Sequence, residues 1–308
     1  MARLVFFGNE RIATGVTTTA PVMKALLAAG HDIAAVVVAQ EAIGHSRKQR
    51  PLEVAAIAEQ HGIPLLAPSK LSDIRDQLAD YQAQAGILVA YGKLVPQSII
   101  DIFPKGIINL HPSLLPLHRG SIPLEATLLA GDAETGVSMM QLVRTMDAGP
   151  VYAQQTVRLS GNETKQELAD SLLALGQTML EANLAAILDG TLQPHAQNDL
   201  AATYDQRLTK DAGMLGPNDW DRPAAFIERL VRAYAGWPRV KTRVGETDII
   251  ITAAHTAQSD GLPGTLWIEN REFGLHAQDG VVVIDRLIPA GKKEMSGRDF
   301  LLGYHLNA

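Results

Sequence analysis

The spacing of apolar residues changes once along this 308-residue chain, and that change most narrows the folds open to it. In the first half, short apolar runs such as residues 4–7 and 33–38 alternate with amphipathic stretches such as residues 21–29. A short apolar run is typical of a buried strand, and an amphipathic stretch is typical of a helix that packs on one face. The alternation predicts βα units on a largely parallel sheet.

The same alternation continues through the next hundred residues. Residues 85–90, 107–110 and 137–142 are predicted strands, and a turn rich in glycine, proline or polar residues follows each of them. Ligands of open α/β sheets bind at such strand ends. A long amphipathic stretch, residues 165–188, predicts one helix that ends at Gly190.

The pattern differs after residue 190. Residues 193–216 are polar and contain proline, as expected of a connector, and a short helix is predicted over residues 224–235. Five short alternating segments then predict a small β-barrel; they are residues 240–244, 248–252, 264–268, 272–277 and 281–287. We therefore expect an α/β domain over residues 1–190, a linker over 191–215 and a β domain over 216–308.

Composition excludes several classes of protein. The chain has no cysteine, which rules out disulfides, thiolate zinc sites and cysteine nucleophiles. No apolar run reaches the ~18 residues of a transmembrane helix, and the N-terminal apolar run is too short for a secretory signal, so we expect a cytoplasmic protein without membrane contacts. The common motifs of nicotinamide dehydrogenases, kinases, zinc proteases and serine hydrolases are also missing.

The formal net charge of −6 argues at first against a nucleic-acid partner, but its distribution is uneven. Residues 1–206 carry the whole acidic excess, because the remainder has 13 basic and 13 acidic side chains. Such an average does not exclude a local basic surface that contacts phosphates, although a charged loop is equally typical of a solvated surface. The candidate phosphate contacts are Arg47, Lys48, Arg50, Arg239, Lys241, Arg243, Lys292 and Lys293.

Polar residues at two strand ends are the candidates for chemistry. Alternation along the predicted strand places Asn109 and His111 on one face, where both can point at one small ligand. Asp147 lies in a glycine-bearing loop after another strand, and α/β topology can bring it beside His111. The alternative is structural, since Asn and His often satisfy loop backbone groups and Asp is common in turns.

These residues carry a family resemblance. Residues 109–120, which read NLHPSLLPLHRG, resemble the core of the 10-formyltetrahydrofolate-dependent formyltransferases, together with Gly136 and the turn from Asp147 to Gly149. The segment that starts at Ala90 resembles the preceding folate-pocket segment of that family. The second half resembles the C-terminal domain of the members that act on methionyl-initiator tRNA, in residues 204–210, 220, 232–238, 263–265 and 289–295.

The resemblance implies a fold and a site. The fold is α/β, with a Rossmann-like N-terminal catalytic formyltransferase domain followed by a small OB-like β-barrel domain that binds tRNA. Asn109, His111 and Asp147 become the catalytic residues. The implied folate contacts are Ala90, Tyr91, Ser113, Leu114, Leu115, Pro116 and Gly136, and the implied tRNA contacts are the eight basic residues named above.

The resemblance also implies a reaction, in which a formyl group moves from 10-formyltetrahydrofolate to the α-amino group of methionyl-initiator tRNA. Asn109 and His111 stabilise a tetrahedral intermediate. Asp147 holds the imidazole, which favours a cationic His111, and accepts the amine proton through a water, while His111 protonates the leaving nitrogen. No metal is required. We expect a monomer in the cytoplasm, with initiator tRNA and folate as its partners.

The sequence departs from the family at three places. Gly8-Asn9-Glu10 replaces a Gly-Thr-Pro turn, Pro150 replaces an acid, and the loop over residues 40–50 lacks the usual arginine near its start. Two related functions stay open, a formyltransferase for an amino-sugar nucleotide and a formyltetrahydrofolate hydrolase, although the C-terminal motifs argue against both. An inactive formyltransferase-like nucleic-acid-binding protein is the alternative from another class.

Overall fold

The structure is a computed structural model that describes residues 1–39 and 52–304, and the chain forms two compact units. The first unit contains Met1–Leu124, Ala133–Leu159 and Gln166–Arg207. The second contains Leu208–Ala308 and two short segments from earlier in the chain, Glu125–Asp132 and Ser160–Lys165. The division therefore does not follow a single cut in the sequence.

The first unit is built on a mixed sheet. Its described strands are β1 (Arg3–Gly8), β2 (Asp32–Val37), β3 (Leu65–Leu66), β4 (Ala85–Val89), β5 (Ile107–His111), β6 (Arg119–Gly120), β7 (Glu134–Gln141), β8 (Val151–Arg158) and β9 (Tyr204–Asp205). The main sheet has the order β3-β2-β1-β4-β5-β7-β8, and β6 pairs separately with β9. β1 lies inside the sheet, and its residues 4–7 are fully buried, as expected for a strand covered on both faces.

The predicted parallel sheet is confirmed for part of this order. β3, β2, β1, β4 and β5 pair in parallel, whereas β5, β7 and β8 pair antiparallel. A short connection joins β7 to β8, and such a connection permits only antiparallel pairing. β8 was not predicted, because Gln154, Gln155 and Thr156 interrupt its apolar residues and the strand is largely exposed.

Helices occur in both units. The described helices are α1 (Pro21–Ala28), α2 (Glu53–Gln60), α3 (Arg75–Asp80), α4 (Gln97–Ile100), α5 (Pro123–Ala130), α6 (Lys165–Asp189), α7 (Ala224–Ala233) and α8 (Gly297–Tyr304). α1 starts at a proline, as predicted, and the buried carboxylate of Glu10 accepts hydrogen bonds from Val22 N and Met23 N at 2.9 and 2.8 Å. Glu10 thus satisfies two free amides at the start of that helix.

One helix bears on the expectation about membranes. By length and composition alone α6 is long and apolar enough to cross a membrane, although the sequence pattern predicts no such segment. A helix buried in the core of a water-soluble protein also meets this criterion of length and composition. The buried side chains of α6 include Leu168, Leu172, Leu173, Met179, Leu180, Leu184 and Ile187, whose spacing forms the stripe of a helix packed on one side.

The second unit contains an antiparallel sheet, the helices α7 and α8, and most of α5. Its described strands are β10 (Val240–Val244), β11 (Thr247–Ala257), β12 (Leu266–Glu269), β13 (Glu272–Ala277), β14 (Gly280–Pro289) and β15 (Met295–Ser296). The order is β10-β11-β14-β13-β12, with β15 paired to β14. All five predicted strands are present, β11 and β14 are longer than predicted, and within the described residues no ladder joins β10 to β12.

Candidate active site

The candidate site lies at the end of β5, which pairs with β4 on one side and β7 on the other. Asn109 stands opposite Leu88 and Met140, and His111 stands opposite Ser138. Asn109 and His111 are only 6% and 5% exposed, and alternation along β5 puts them on one face. Within the described residues the Asn109 amide makes no hydrogen bond, so its donors are available to a ligand.

Both ring nitrogens of His111 face protein oxygens. Nε2 lies 2.9 Å from the carbonyl oxygen of His118, which only accepts, so Nε2 carries the proton. Nδ1 lies 3.7 Å from Oδ1 of Asp147. The sequence predicts a His111 N–H directed at the substrate, and with Nε2 bonded to His118 the ring nitrogen left for that donation is Nδ1.

Asp147 is held by its own turn as well as by its neighbours. Its backbone has φ 49°, and its Oδ2 accepts a hydrogen bond from Gly120 N at 2.8 Å. The side chain of Gln197 donates to the carbonyl oxygens of Asp147 and Gly149 at 2.8 and 2.6 Å. A Cβ at Gly149 would lie 1.8 Å from the carbonyl oxygen of Gln141, so only glycine fits there. The structure therefore brings Asn109, His111 and Asp147 to one place and fixes the carboxylate.

The loop over residues 113–117 is fixed by the hydroxyl of Ser138. That hydroxyl donates to the carbonyl oxygen of Ser113 at 2.6 Å and accepts from Leu115 N at 2.9 Å. Gln154 donates both to Ser138 Oγ and to the carbonyl oxygen of Leu115, at 2.8 and 2.7 Å. The Ser113 hydroxyl donates to the carbonyl oxygen of Leu117, and both Ser113 and Leu115 are buried. Their side chains serve the loop itself.

The remaining predicted folate contacts are placed differently from one another. Leu114, Pro116 and Ala90 are half-buried. The ring of Tyr91 is buried in the hydrophobic core with its centroid 6.0 Å from that of Phe7, which leaves only its backbone for a ligand.

Gly136 has a packing role in the sheet. A Cβ there would lie 2.1 Å from the carbonyl oxygen of Gln155 and 2.6 Å from Cδ2 of Leu114. The absence of a side chain therefore lets β7 approach β8 and lets the side chain of Leu114 pack against the strand. Gly136 therefore contributes to the predicted folate site only indirectly, by making room for Leu114. The close packing of β7 against β8 explains why this residue is glycine.

Sequence reasoning missed a buried arginine and its partners. Arg119 is 1% exposed, and its guanidinium donates to the Tyr204 hydroxyl at 2.7 Å and to Asp199 Oδ1 at 2.6 Å. It also donates twice to Gln197 Oε1, at 3.1 and 2.7 Å. Gln197 in turn holds the Asp147 turn. The predicted connector therefore contributes directly to the site, and no sequence pattern marks Gln197, because its targets at that turn are backbone carbonyls.

The predicted phosphate contacts divide into two groups. Arg47, Lys48 and Arg50 lie outside the described residues. In the second unit Arg239, Lys241 and Arg243 alternate with the buried residues of β10, and Arg243 donates to Asp248 Oδ1 at 2.8 Å, which lowers the pKa of Asp248. Ala290 N donates to the carbonyl oxygen of Asp248 at 2.9 Å, so the turn that carries Lys292 and Lys293 starts beside the partner of Arg243. Both lysines are exposed.

The described residues contain no group of three or more His, Asp and Glu side chains arranged to hold a metal ion. A small apolar cavity lies on the other face of β5, where Leu110, Ile12, Val89 and Leu172 line a space of about 10 Å³. A space of that size accommodates about one water molecule and no substrate.

Comparison with protein families matches both units. The family model described as formyl transferase matches residues 3–184, and the one described as formyl transferase, C-terminal domain, matches residues 208–305. A methionyl-tRNA formyltransferase of Roseobacter denitrificans is 36% identical over 306 residues, which are 98% of this chain and 95% of that protein. One of Roseiflexus castenholzii is 34% identical over 99% of this chain and 96% of that protein.

Solved structures show the same fold at low sequence identity. The N-formyltransferase of Helicobacter canadensis, in a complex with folinic acid and dTDP-3-aminofucose, has a TM-score of 0.68 and 16% identity and covers 96% of this chain and all of its own. HypX of Aquifex aeolicus, in a complex with tetrahydrofolic acid, has a TM-score of 0.64 and 15% identity over all of this chain and 48% of its own. At such identities the likeness concerns the fold alone.

Proposed function

This chain belongs to the formyl transferase family, and from that premise we propose that it transfers the formyl group of 10-formyltetrahydrofolate to the α-amino group of methionyl-initiator tRNA. The support comes from relatives named methionyl-tRNA formyltransferase, which match at 34–36% identity over nearly the full length of both chains. The N-formyltransferase of Helicobacter canadensis solved with dTDP-3-aminofucose is only 16% identical, so its ligand is a weaker guide.

The observation that carries the proposal is the buried amide of Asn109 beside the His111–Asp147 pair. A side chain that is 6% exposed and makes no hydrogen bond within the described residues has donors left for a substrate oxygen. Acyl transfer needs such donors, because negative charge develops on the former carbonyl oxygen when an amine attacks it. These residues therefore fit a formyl donor, which is a substrate of the reaction.

Each residue of the trio then has a role. Asn109 donates to the formyl oxygen as charge develops there, an interaction worth ~3 to 4 kcal/mol of the barrier in other acyl transfers. Asp147 orients His111 through Nδ1 and accepts the proton of the attacking amine through a water. His111 donates its Nδ1 proton to the departing folate nitrogen, while Nε2 stays on the carbonyl oxygen of His118. No step in this scheme requires a metal.

The donor site that we propose is formed by the fixed loop and its neighbours. Leu114, Pro116 and Ala90 supply apolar contact. The carbonyl oxygens of Ser113 and Leu115, each of which has a second lone pair, and the backbone of Tyr91 supply hydrogen-bonding groups. Gly136 contributes by admitting the Leu114 side chain. Mainly apolar walls with a few polar groups are typical of small-molecule sites.

The tRNA contacts that we propose are basic residues of the C-terminal part and, separately, basic residues of the segment for which the sequence predicts a loop, residues 40–50. Phosphates are contacted by Arg239, Lys241, Arg243, Lys292 and Lys293, and also by Arg47, Lys48 and Arg50. We assign residues 1–190 to catalysis, 191–215 to a linker that also holds the site, and 216–308 to tRNA binding. The chain acts as a monomer in the cytoplasm, without membrane contacts.

One transfer experiment tests the function. The purified chain is given 10-formyltetrahydrofolate with labelled formyl, together with methionyl-initiator tRNA, an amino-sugar nucleotide or water alone. We expect label only on the methionyl group of the tRNA. Label on the amino sugar, or release of labelled formate at the same rate without an amine, contradicts the proposal in favour of the corresponding alternative, and no transfer at all favours an inactive protein.

A further inference from the structure

The turn over residues 116–120 carries two backbone groups that hold the catalytic pair of the proposed reaction. The carbonyl oxygen of His118 accepts from Nε2 of His111 at 2.9 Å, and Gly120 N donates to Oδ2 of Asp147 at 2.8 Å. The direction of the His111 ring and the position of the Asp147 carboxylate therefore both depend on where this turn stands.

Residues of the predicted connector hold the turn in place. Thr203 N donates to the carbonyl oxygen of Pro116 at 3.2 Å, and Thr203 Oγ1 accepts from His118 N at 2.7 Å. Arg119 N donates to the carbonyl oxygen of Thr203 at 3.0 Å, and β6 then pairs with β9. His118 needs such support because its φ of 57° lies in the left-handed region, which non-glycine residues seldom adopt.

The side chain of His118 adds one more contact, which the proposed reaction does not use. Its Nδ1 lies 3.0 Å from Oδ2 of Asp205, and the two side chains are 16% and 17% exposed. Limited exposure reduces screening by solvent, so this pair restrains the turn more than a surface pair does. Asp205 belongs to β9, the strand that already pairs with the turn.

We infer that His118 and Asp205 are positioning residues for the formyl transfer proposed above. Their side-chain pair keeps the carbonyl oxygen of His118 on Nε2 of His111, and this bond leaves Nδ1 facing Asp147. The pair acts through the orientation of His111 and touches no reacting atom. The inference rests on the proposed function, but the orientation of the His111 ring is measurable without any substrate.

The first test reads that orientation directly. In protein labelled with ¹⁵N in its histidines, the His111 ring is expected to show a stable N–H on Nε2, and Asp205→Ala is expected to shift its nitrogen resonances. Asp285→Ala is the matched control, because it removes the partner of an exposed pair in the second unit, His255 Nδ1 and Asp285 Oδ1 at 2.8 Å. Unchanged His111 resonances in Asp205→Ala overturn the inference, whether or not the chain transfers formyl.

The second test separates positioning from binding. Asp205→Ala is expected to lower kcat by roughly 10- to 100-fold, as misplacement of a reacting group does, with unchanged KM for both substrates. Asp205→Asn, which keeps an oxygen acceptor for His118, is expected to restore most of the rate, and Asp285→Ala to match the wild type. An unchanged kcat, or a raised KM at unchanged kcat, contradicts the inference.

A third variant covers the case in which Asp205→Ala does not fold. His118→Asn keeps a residue that tolerates positive φ, but its side chain is too short to span the distance to Asp205. It is expected to reproduce the loss of kcat and the shifted His111 resonances. A wild-type protein without transferase activity refutes the proposed function, whereas the resonance test still decides the role of the pair.

Discussion

Asn109 and His111 differ in how much of their hydrogen-bonding capacity the protein itself uses. The Asn109 amide has no partner within the described residues, whereas both nitrogens of His111 face protein oxygens, at 2.9 and 3.7 Å. A group that is already bonded orients the site, and a group that is not bonded is ready for substrate. At the scale of single residues, Asn109 is therefore the position where a substitution most directly tests the chemistry.

Asn109→Ala is expected to lower kcat by roughly 100- to 1,000-fold with little change in KM for either substrate, because it removes a donor that acts mainly on developing charge. Steady-state kinetics with methionyl-tRNA measure the effect. Asn183→Ala on α6 is the control, since that side chain only donates to its own helix, at 2.7 Å to the carbonyl oxygen of Met179. A folded Asn109→Ala protein with near wild-type kcat contradicts the assigned role.

Glu10 is a second residue with a measurable signature. Burial raises the pKa of its carboxyl to about 7 in spite of the hydrogen bonds from Met23 N and Val22 N. Because the folded state then binds the proton more tightly than the unfolded state, the stability that this proton contributes is present below pH 4.5 and is lost as pH rises through 7.

Wild-type protein is therefore expected to lose about 2 to 3 kcal/mol more unfolding free energy than Glu10→Gln between pH 5 and pH 8. Urea denaturation at the two pH values measures the difference, and the other titrating groups are common to both proteins and cancel. Parallel pH profiles for the two proteins show that Glu10 titrates near its ordinary value and contradict the prediction.

At the scale of elements, two strand pairings that the sequence pattern did not reveal complete the site. β6 and β9 are each two residues long, and β8 is largely exposed. None of these three strands therefore contains a buried apolar run. β9 nevertheless pairs with β6 in the turn over residues 116–120, and Gln154 of β8 donates a hydrogen bond to the loop over residues 113–117. Short polar elements of this kind are stabilised by tertiary contacts, which leave little trace in local periodicity.

A buried ion pair joins two residues of the second unit, Lys165 and Glu125. Nζ of Lys165, the first residue of α6, lies 3.2 Å from Oε1 of Glu125 in α5 and 3.2 Å from the carbonyl oxygen of Trp237. Desolvation lowers the pKa of Lys165, and both side chains are at most 2% exposed. Two buried charges of this kind depend on each other.

Lys165→Met is expected to cost ~3 to 5 kcal/mol of unfolding free energy, because it takes the ammonium away from a buried carboxylate. The double variant with Glu125→Leu is expected to recover most of this loss, and chemical denaturation measures both. Arg286→Met is the control, because it breaks an exposed pair in which Arg286 Nη2 lies 2.8 Å from Glu294 Oε2. It is expected to change the unfolding free energy little. A small loss in Lys165→Met, or no recovery in the double variant, contradicts the argument.

At the scale of the whole molecule, the net charge of −6 does not describe the surface that we assign to tRNA. The acidic excess lies in residues 1–206. In the second unit, Arg243 donates to the side chain of Asp248, and the turn that carries Lys292 and Lys293 begins where Ala290 N donates to the carbonyl oxygen of Asp248. Phosphate contacts of this kind contribute affinity that falls steeply with salt. A few local contacts on a charge-balanced domain predict modest affinity for tRNA.

Joint replacement of Arg243, Lys292 and Lys293 by Ala is expected to raise KM for tRNA and to leave KM for the formyl donor unchanged. Each lost phosphate contact also reduces the slope of log KM against log salt by roughly 0.7 to 0.9. Arg271→Ala, in a different turn of the same unit, is the control. An unchanged salt slope removes these three residues from the proposed tRNA surface.

The sequence by itself determined the class of fold, most of the strands and helices, and the position of Asn109 and His111 on one face of a strand. These features follow from periodicity and from residue types at short spacing, which are local properties of a chain. The motif around Asn109 also led to the family, which the comparisons confirm over both units.

Only the tertiary structure decided which atoms meet across long sequence separations. The carbonyl oxygen of His118 on His111, Gly120 N on Asp147 and Gln197 on the Asp147 turn all involve backbone groups. Every residue but proline presents the same amide and carbonyl, so no residue type announces which of them will bind a side chain. The assignment of the ring nitrogens of His111, and with it the role of His118 and Asp205, therefore had to come from the fold.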